Sequence, residues 1–231
     1  MTTDLVETKL PSGIKKWIYS LFKIVFYLFF VRPLALIVLG LNVRNREKYP
    51  TCGPAVIAAN HNSHLDTIVL LSLFPLKSIF SVRPVAAADY FLKNPLMAWF
   101  SLNIIGIIPV RRSGKKDSNE DPLAGVKQAL LDKQIVVIFP EGSRGEPESP
   151  ADFKKGISYI AESFPEVPVC PVFLYGLGKS LPRGDFVLVP FFCDVFVGSH
   201  IKWNGDREGF MAELKTEMNN LAKEVRLENW E

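Results

Sequence analysis

Four short apolar runs constrain this chain more than any other feature. AVIAA (55–59), GIIPV (106–110), QIVVIF (134–139) and VCPVFLY (169–175) each have the length of a strand and almost no polar residue. Strands of that kind are buried on both faces, as in a parallel sheet covered by helices. The stretches between and after them, 64–74, 89–102, 122–132, 152–163 and 206–228, read as those helices. Pro122 suits a first helical turn, with Asp121 before it as N-cap. DFVLV and FFCDVFV within 185–197, divided by Pro190, predict a further strand pair or one bent strand. The order β-α-β-α-β-α-β predicts an α/β fold, a single domain with a mainly parallel sheet flanked by helices. At 231 residues there is room for one domain of ordinary size, and two would be cramped.

Charge divides the chain. Residues 1–50 carry eight cations against three acids, whereas the remainder carries nineteen against twenty-one. A general nucleic-acid binder spreads its positive charge over the folded domain, so that class is excluded. Cys52, Cys170 and Cys193 are odd in number and widely spaced, which fits a reducing compartment and neither a disulfide framework nor a zinc site. The basic head is also apolar. Residues 17–41, WIYSLFKIVFYLFFVRPLALIVLGL, hold seven aromatics in their first fourteen positions. As one helix they would extend roughly 37 Å, against a hydrocarbon core of about 30 Å.

Lys23 and Arg32 interrupt that segment, and Pro33 predicts a kink or an end near its middle. Lys9, Lys15 and Lys16 precede it while Arg44, Arg46 and Lys48 follow, which gives the positive-inside rule no asymmetry. Two short helices broken around Arg32-Pro33 and dipping into one leaflet would keep both flanks on the cytoplasmic face, where anionic lipid attracts them. Residues 1–48 are therefore expected to form a monotopic helical membrane anchor rather than a single span, with residues 49–231 as the α/β domain. A buried core helix is the competing reading. A cleaved signal peptide fits badly, because the run is long, starts late and lacks a small-residue cleavage site.

The residues suited to chemistry cluster after the apolar runs, where open α/β sheets place their ligand sites. Asn60-His61-Asn62-Ser63-His64-Leu65-Asp66 follows the first run and opens a helix. If the chain turns sharply at Asn62-Ser63, Asp66 meets His61 and can fix the tautomer of a general base. The same residues also read as a capping box, with Ser63 as N-cap and Asp66 three positions on. The two readings are compatible, since a capped turn is a rigid mount for a dyad; His64 competes for the role of base. Phe139-Pro140-Glu141-Gly142-Ser143-Arg144 ends the most apolar run, with Gly142 permitting close backbone approach and Arg144 offering a planar fork for phosphate. The alternative there is a turn with a solvated arginine. GIIPVRR (106–112) also places cations just beyond a strand. No metal-ligand cluster, GxSxG elbow or P-loop occurs, so metal, α/β-hydrolase and nucleotide chemistry rank low.

In order, His61-x4-Asp66, Gly106-x-x-Pro-Val-x-Arg112, FPEGSR (139–144) and VPVCPV (167–172) make a pattern far more specific than any one of them. It resembles that of the glycerophospholipid acyltransferases, particularly the bacterial-type 1-acyl-glycerol-3-phosphate acyltransferases, over about residues 40–200. The resemblance implies His61 as general base and Asp66 as its orienting partner, the acceptor hydroxyl attacking an acyl thioester without a covalent acyl-enzyme. It implies that Arg112 and Arg144 hold the acceptor's phosphate, with Glu141, Gly142 and Ser143 shaping the pocket. Phe153-Lys154-Lys155-Gly156 looks like the family's stretch after the third block, and Lys155 is added to the substrate-binding set. Cys170 would then be packing on a structural strand.

The implied reaction is acyl transfer from acyl-CoA or acyl-carrier protein to the sn-2 hydroxyl of lysophosphatidic acid, giving phosphatidic acid in phospholipid biosynthesis. The thioester is a cosubstrate; no bound cofactor and no metal are expected. The expected partners are the lysophospholipid and thioester substrates, the membrane bilayer and acyl-carrier protein, with no nucleic acid. Alternatives are acyl transfer to another lysolipid, thioester hydrolysis with His61 activating water, or a non-catalytic headgroup-binding module. Two departures stand out. The family's lysine in an Ala-Lys-x-Glu-Leu stretch faces Ala86-Ala-Ala-Asp89-Tyr-Phe here, with Arg83 as a candidate substitute, and Ser143 stands where threonine is usual.

Overall fold

A computed structural model of the chain describes residues 14–63, 65–111, 121–143, 152–180 and 192–226. Among these, the strands are β1 (Asn42–Arg44), β2 (Ala55–Ala59), β3 (Val82–Ala87), β4 (Ile108–Val110), β5 (Ile135–Ile138), β6 (Val169–Tyr175) and β7 (Asp194–Val197). They form one seven-stranded sheet in the order β1-β7-β6-β2-β5-β3-β4. Every pairing is parallel except β6 with β7. The expected α/β class with a mainly parallel sheet is the observed one.

Burial follows the two-residue period of a strand. On β2, Ala55, Ile57 and Ala59 enter one core and Val56 and Ala58 the other; on β5, Ile135 and Val137 are separated likewise from Val136 and Ile138. The first core is covered by α2 (Asp66–Ser72) and by the N-terminal helix α1 (Ile14–Phe26) with its continuation. The second is covered by α5 (Ala124–Leu131), α6 (Gly156–Ser163) and α7 (Arg207–Arg226). Asp121 caps ahead of α5, its Oδ1 accepting the Leu123 N–H at 2.9 Å.

Two strands went unread in the sequence. At β3, Arg83 and Pro84 interrupt the apolar run, and a proline argues against a central strand. The sheet accommodates it because β3 pairs with β5 through Pro84 and with β4 only from Val85, so one side of the strand lacks a ladder at the proline. At three residues, β1 is too short to show a period. It is held by its register on β7 and by the Asn42 Nδ2 donating to Asp194 Oδ1 at 2.9 Å. The stretch expected as one helix over 89–102 is instead α3 (Ala88–Phe91) and α4 (Pro95–Phe100), the latter restarted by Asn94, whose side chain accepts the Leu96 N–H. Residues 185–189 and Pro190 lie outside the described residues.

The expected break at Arg32-Pro33 does not occur. Helix α1 runs on through π-helical turns at Tyr27–Val31 and Leu34–Val38. In these wider turns the Arg32 N–H donates to the Tyr27 carbonyl and the Leu39 N–H to the Leu34 carbonyl, so bonding is reassigned around a proline that cannot donate. Tyr27, Val31, Ala35 and Leu39 form one buried stripe against the domain. The Tyr27 hydroxyl donates to the carbonyls of Phe74 and Ser72. The opposite face is exposed: Trp17 80%, Leu21 62%, Phe22 55% and Phe29 77%. Trp17–Ile37 is long and apolar enough, by length and composition, to cross a membrane.

Candidate active site

Strand β2 ends at Ala59, and the next three residues are fixed by buried polar contacts to β6. The Asn60 side chain donates to the Leu174 carbonyl at 2.9 Å and accepts the Leu174 N–H at 2.7 Å; the Asn62 amide donates to the same carbonyl at 3.1 Å. Buried amides left without partners would cost roughly 1–3 kcal/mol each, so this loop has little freedom to move. It delivers His61 to Asp66, the first residue of α2. His61 Nδ1 lies 2.8 Å from Asp66 Oδ2. The same oxygen accepts the N–H of Asn62 at 2.6 Å and of Ser63 at 2.9 Å.

The dyad geometry is present, and the capping box is present in part. The Asp66 bond to the Ser63 N–H is the return half of a capping box, while Ser63 Oγ accepts from the Leu65 N–H at 3.3 Å. Asp66 is fully buried, and burial raises its carboxyl above the ordinary range; His61 and the N–H groups of Ser63 and Asn62 pull the other way. With Nδ1 donating to the carboxylate, His61 Nε2 carries the lone pair. The imidazole stacks on Phe139 with ring centroids 4.2 Å apart, and retains partial exposure. An aromatic wall and an aspartate therefore set the ring's plane and its tautomer.

The second loop follows β5, the neighbour of β2, and closes on the first. Glu141 is buried, and its Oε1 accepts the His61 N–H at 3.4 Å while Oε2 is buried without a hydrogen-bond partner among the described residues. Burial raises the Glu141 carboxyl to about 7, the His61 N–H opposing and the nearby Asp66 assisting. Gly142 turns the chain at φ +70°, with its N–H on the Phe139 carbonyl. Ser143 is exposed beside it. The structure thus brings His61, Asp66, Glu141, Gly142 and Ser143 into one place. Arg112, Arg144 and His64 lie outside the described residues.

Among the described residues Lys155 makes no contact with this loop; its carbonyl starts α6, accepting from Ser158 and Tyr159, and its side chain is exposed. The adjacent Lys154 does reach it. Its N–H donates to the Pro140 carbonyl at 2.8 Å, and its chain lies across Gly142 so closely that a Cβ there would come within 2.7 Å of Nζ. Sequence reading missed Lys154 because two adjacent lysines are equivalent in one dimension; the available signal was its place directly after Phe153, whose side chain packs on the second core. Arg83 is also removed from the loop. It is the second residue of β3, opposite Val136, whereas the site lies beyond the strands' C-terminal ends.

Comparison with known proteins bears on this arrangement. The sequence model described as Acyltransferase matches residues 40–175, which contain both loops and every strand from β1 to β6. The chain belongs to the acyltransferase family. Among its acyltransferase relatives, the chloroplastic 1-acyl-sn-glycerol-3-phosphate acyltransferase LPAT1 of Arabidopsis thaliana is 32% identical over 146 residues, covering 63% of this chain and 38% of that protein. The 1-acyl-sn-glycerol-3-phosphate acyltransferase alpha of Mus musculus is 28% identical over 135 residues, covering 57% and 44%. The matches thus span about two fifths of the length of these relatives. The crystal structure of the 1-acyl-sn-glycerophosphate acyltransferase PlsC from Thermotoga maritima has the same fold, with a TM-score of 0.68 at 18% identity, covering 94% of this chain and 98% of that one. Cys170, in the acyltransferase span, is 1% exposed, and burial pushes its thiol up to about 12, which leaves it inert as a nucleophile.

Proposed function

We propose that this acyltransferase moves a fatty acyl group from acyl-CoA or acyl-carrier protein to the sn-2 hydroxyl of lysophosphatidic acid, making phosphatidic acid. The observation that carries the reading is the 2.8 Å contact between His61 Nδ1 and the buried Asp66, which leaves Nε2 as a base on a partly exposed ring. His61 Nε2 takes the proton of the acceptor hydroxyl as its oxygen attacks the thioester carbonyl. The tetrahedral intermediate then collapses, the C–S bond breaks, and the imidazolium proton goes to the leaving thiolate. Asp66 stabilises the imidazolium and holds its tautomer. Glu141, Gly142 and Ser143 shape the acceptor side of the site, with Arg112, Arg144 and Lys154 as the cations for a phosphate-bearing acceptor.

The same reading places the enzyme on the cytoplasmic face of the membrane, with the N-terminal apolar helix as an in-plane anchor and the catalytic domain starting at β1 rather than at the expected residue 49. Support comes from the stripe Tyr27, Val31, Ala35 and Leu39. A helix docked on the domain along its Tyr27–Leu39 stripe favours an in-plane position over a span. Tyr19 meets Trp99 and Phe26 meets Phe100 edge-on, so α4, with Leu96 73% exposed, extends the apolar face of α1.

The test is a transfer assay with purified full chain, lysophosphatidic acid and both thioesters. Phosphatidic acid should form, and His61→Ala should lower turnover roughly 10²–10⁴-fold or more. Thiol release at the same rate without any lysolipid would instead make the protein a thioester hydrolase. Preference for a phosphate-free acceptor would move it to another lysolipid.

A further inference from the structure

Two cations converge at the end of β3 away from the His61 loop. Lys23 comes from α1 and Arg83 from the second position of β3. Lys23 Nζ and an Arg83 terminal nitrogen stand 3.2 and 3.3 Å from the single point that a Cβ on Gly106 would occupy. Gly106 has φ +84°, and the lack of a side chain there is what lets both cations lean over the same backbone.

Their local partners are weak for two charges so close. Lys23 donates to the Ile105 carbonyl at 3.4 Å, and the Phe80 ring centre is 6.0 Å away. Arg83 Nε is buried with no hydrogen-bond partner among the described residues, and Asp132 is the carboxylate that acts on the guanidinium. Burial, and after it the Arg83 charge, lowers the Lys23 ammonium to about 8. Both side chains keep partial exposure, beside the exposed Phe80. A planar guanidinium fork facing an ammonium point charge is the donor set of a phosphate site, and an anion between them would remove their mutual repulsion.

We propose that Lys23 and Arg83, over Gly106, form a phosphate-binding site separate from the acceptor pocket at His61. The headgroup phosphate of an anionic phospholipid is its natural occupant, since Lys23 stands on the helix whose other face is the exposed apolar surface. Lipid bound there would fasten α1 to β3 and to the turn before β4, fixing how the domain sits on the bilayer. The site needs no turnover, so it stands or falls independently of the reaction proposed above.

The experiment is sedimentation of the full chain with vesicles of phosphatidylcholine alone or mixed with phosphatidylglycerol, together with thermal melts in inorganic phosphate. Wild type should prefer the anionic vesicles, and the Lys23→Met, Arg83→Gln double variant should lose that preference by about tenfold. A control variant, Lys77→Gln with Lys93→Gln, removes the same charge from two exposed positions and should keep most of it. Equal losses in the two variants would overturn the proposal in favour of diffuse attraction. Inorganic phosphate that raises the melting temperature of wild type but not of the double variant supports the site and shows that the phosphate group alone suffices. No response of wild type to either phosphate source overturns it. Near-wild-type melting of the double variant without ligand shows that the loss is not unfolding.

Discussion

Glu141 is the residue whose environment asks most of it. Its folded carboxyl is raised from the ordinary 4.5 to about 7, so between those values the folded protein holds a proton that the unfolded chain releases. Stability from this group is complete below about pH 4.5 and is lost as the pH rises through 7. Denaturant melts at pH 5 and pH 8 should show wild type losing on the order of 3 kcal/mol at most relative to Glu141→Gln. The glutamine keeps a hydrogen-bond acceptor for the His61 N–H and cannot ionise. Lys154 makes a second prediction at this scale. Lys154→Ala should raise the KM for a phosphate-bearing acceptor about tenfold, as expected for one charge-assisted hydrogen bond, while Lys155→Ala should change little. Steady-state kinetics on both variants would separate the two positions.

At the scale of elements, the N-terminal helix has two faces with different tasks. Each large side chain on the buried stripe is worth roughly 1.5–3 kcal/mol of burial, enough to hold the helix on the domain. The exposed face contributes nothing of that kind to folding, so Phe22→Glu with Phe29→Glu should leave the melting temperature within a few degrees of wild type. Vesicle binding, read by flotation, should fall at least tenfold. The amino-acid order made the apolar segment obvious and its break at Arg32-Pro33 reasonable. It did not show the π-helical turns, because they depend on how the stripe meets α2 and the sheet. Strand β3 was hidden for a related reason. Pro84 breaks a strand pattern in one dimension, and only the change of ladder partner at Val85 makes it harmless.

For the whole molecule, the sheet does not begin at residue 49. Strand β1 forms an edge on β7, and Tyr27, Val31 and Leu39 belong to the core under the sheet. A chain starting at residue 49 should therefore be less stable and aggregate, through the loss of an edge strand and the exposure of that core. Expression of the truncated chain, compared with the full chain in detergent, measures it; a soluble, cooperatively melting fragment would show the 1–48 segment to be dispensable.

The amino-acid order alone determined the α/β class, the strands β2, β4, β5 and β6 and the residues of the two loops, because each rests on local pattern: period, apolar runs and short motifs. Tertiary structure decided which of those residues meet. The 2.8 Å approach of His61 to Asp66 needs Asn60 and Asn62 tied to Leu174, more than a hundred residues away. The closing of Glu141 on His61 needs β2 and β5 to be neighbours. The approach of Lys154 to Gly142 needs the backbone after Pro140. The pairing of Lys23 with Arg83 needs a helix docked on a strand sixty residues further along. Contacts across such separations leave no periodicity in the chain, since they depend on a pairing order that is settled only when the sheet forms.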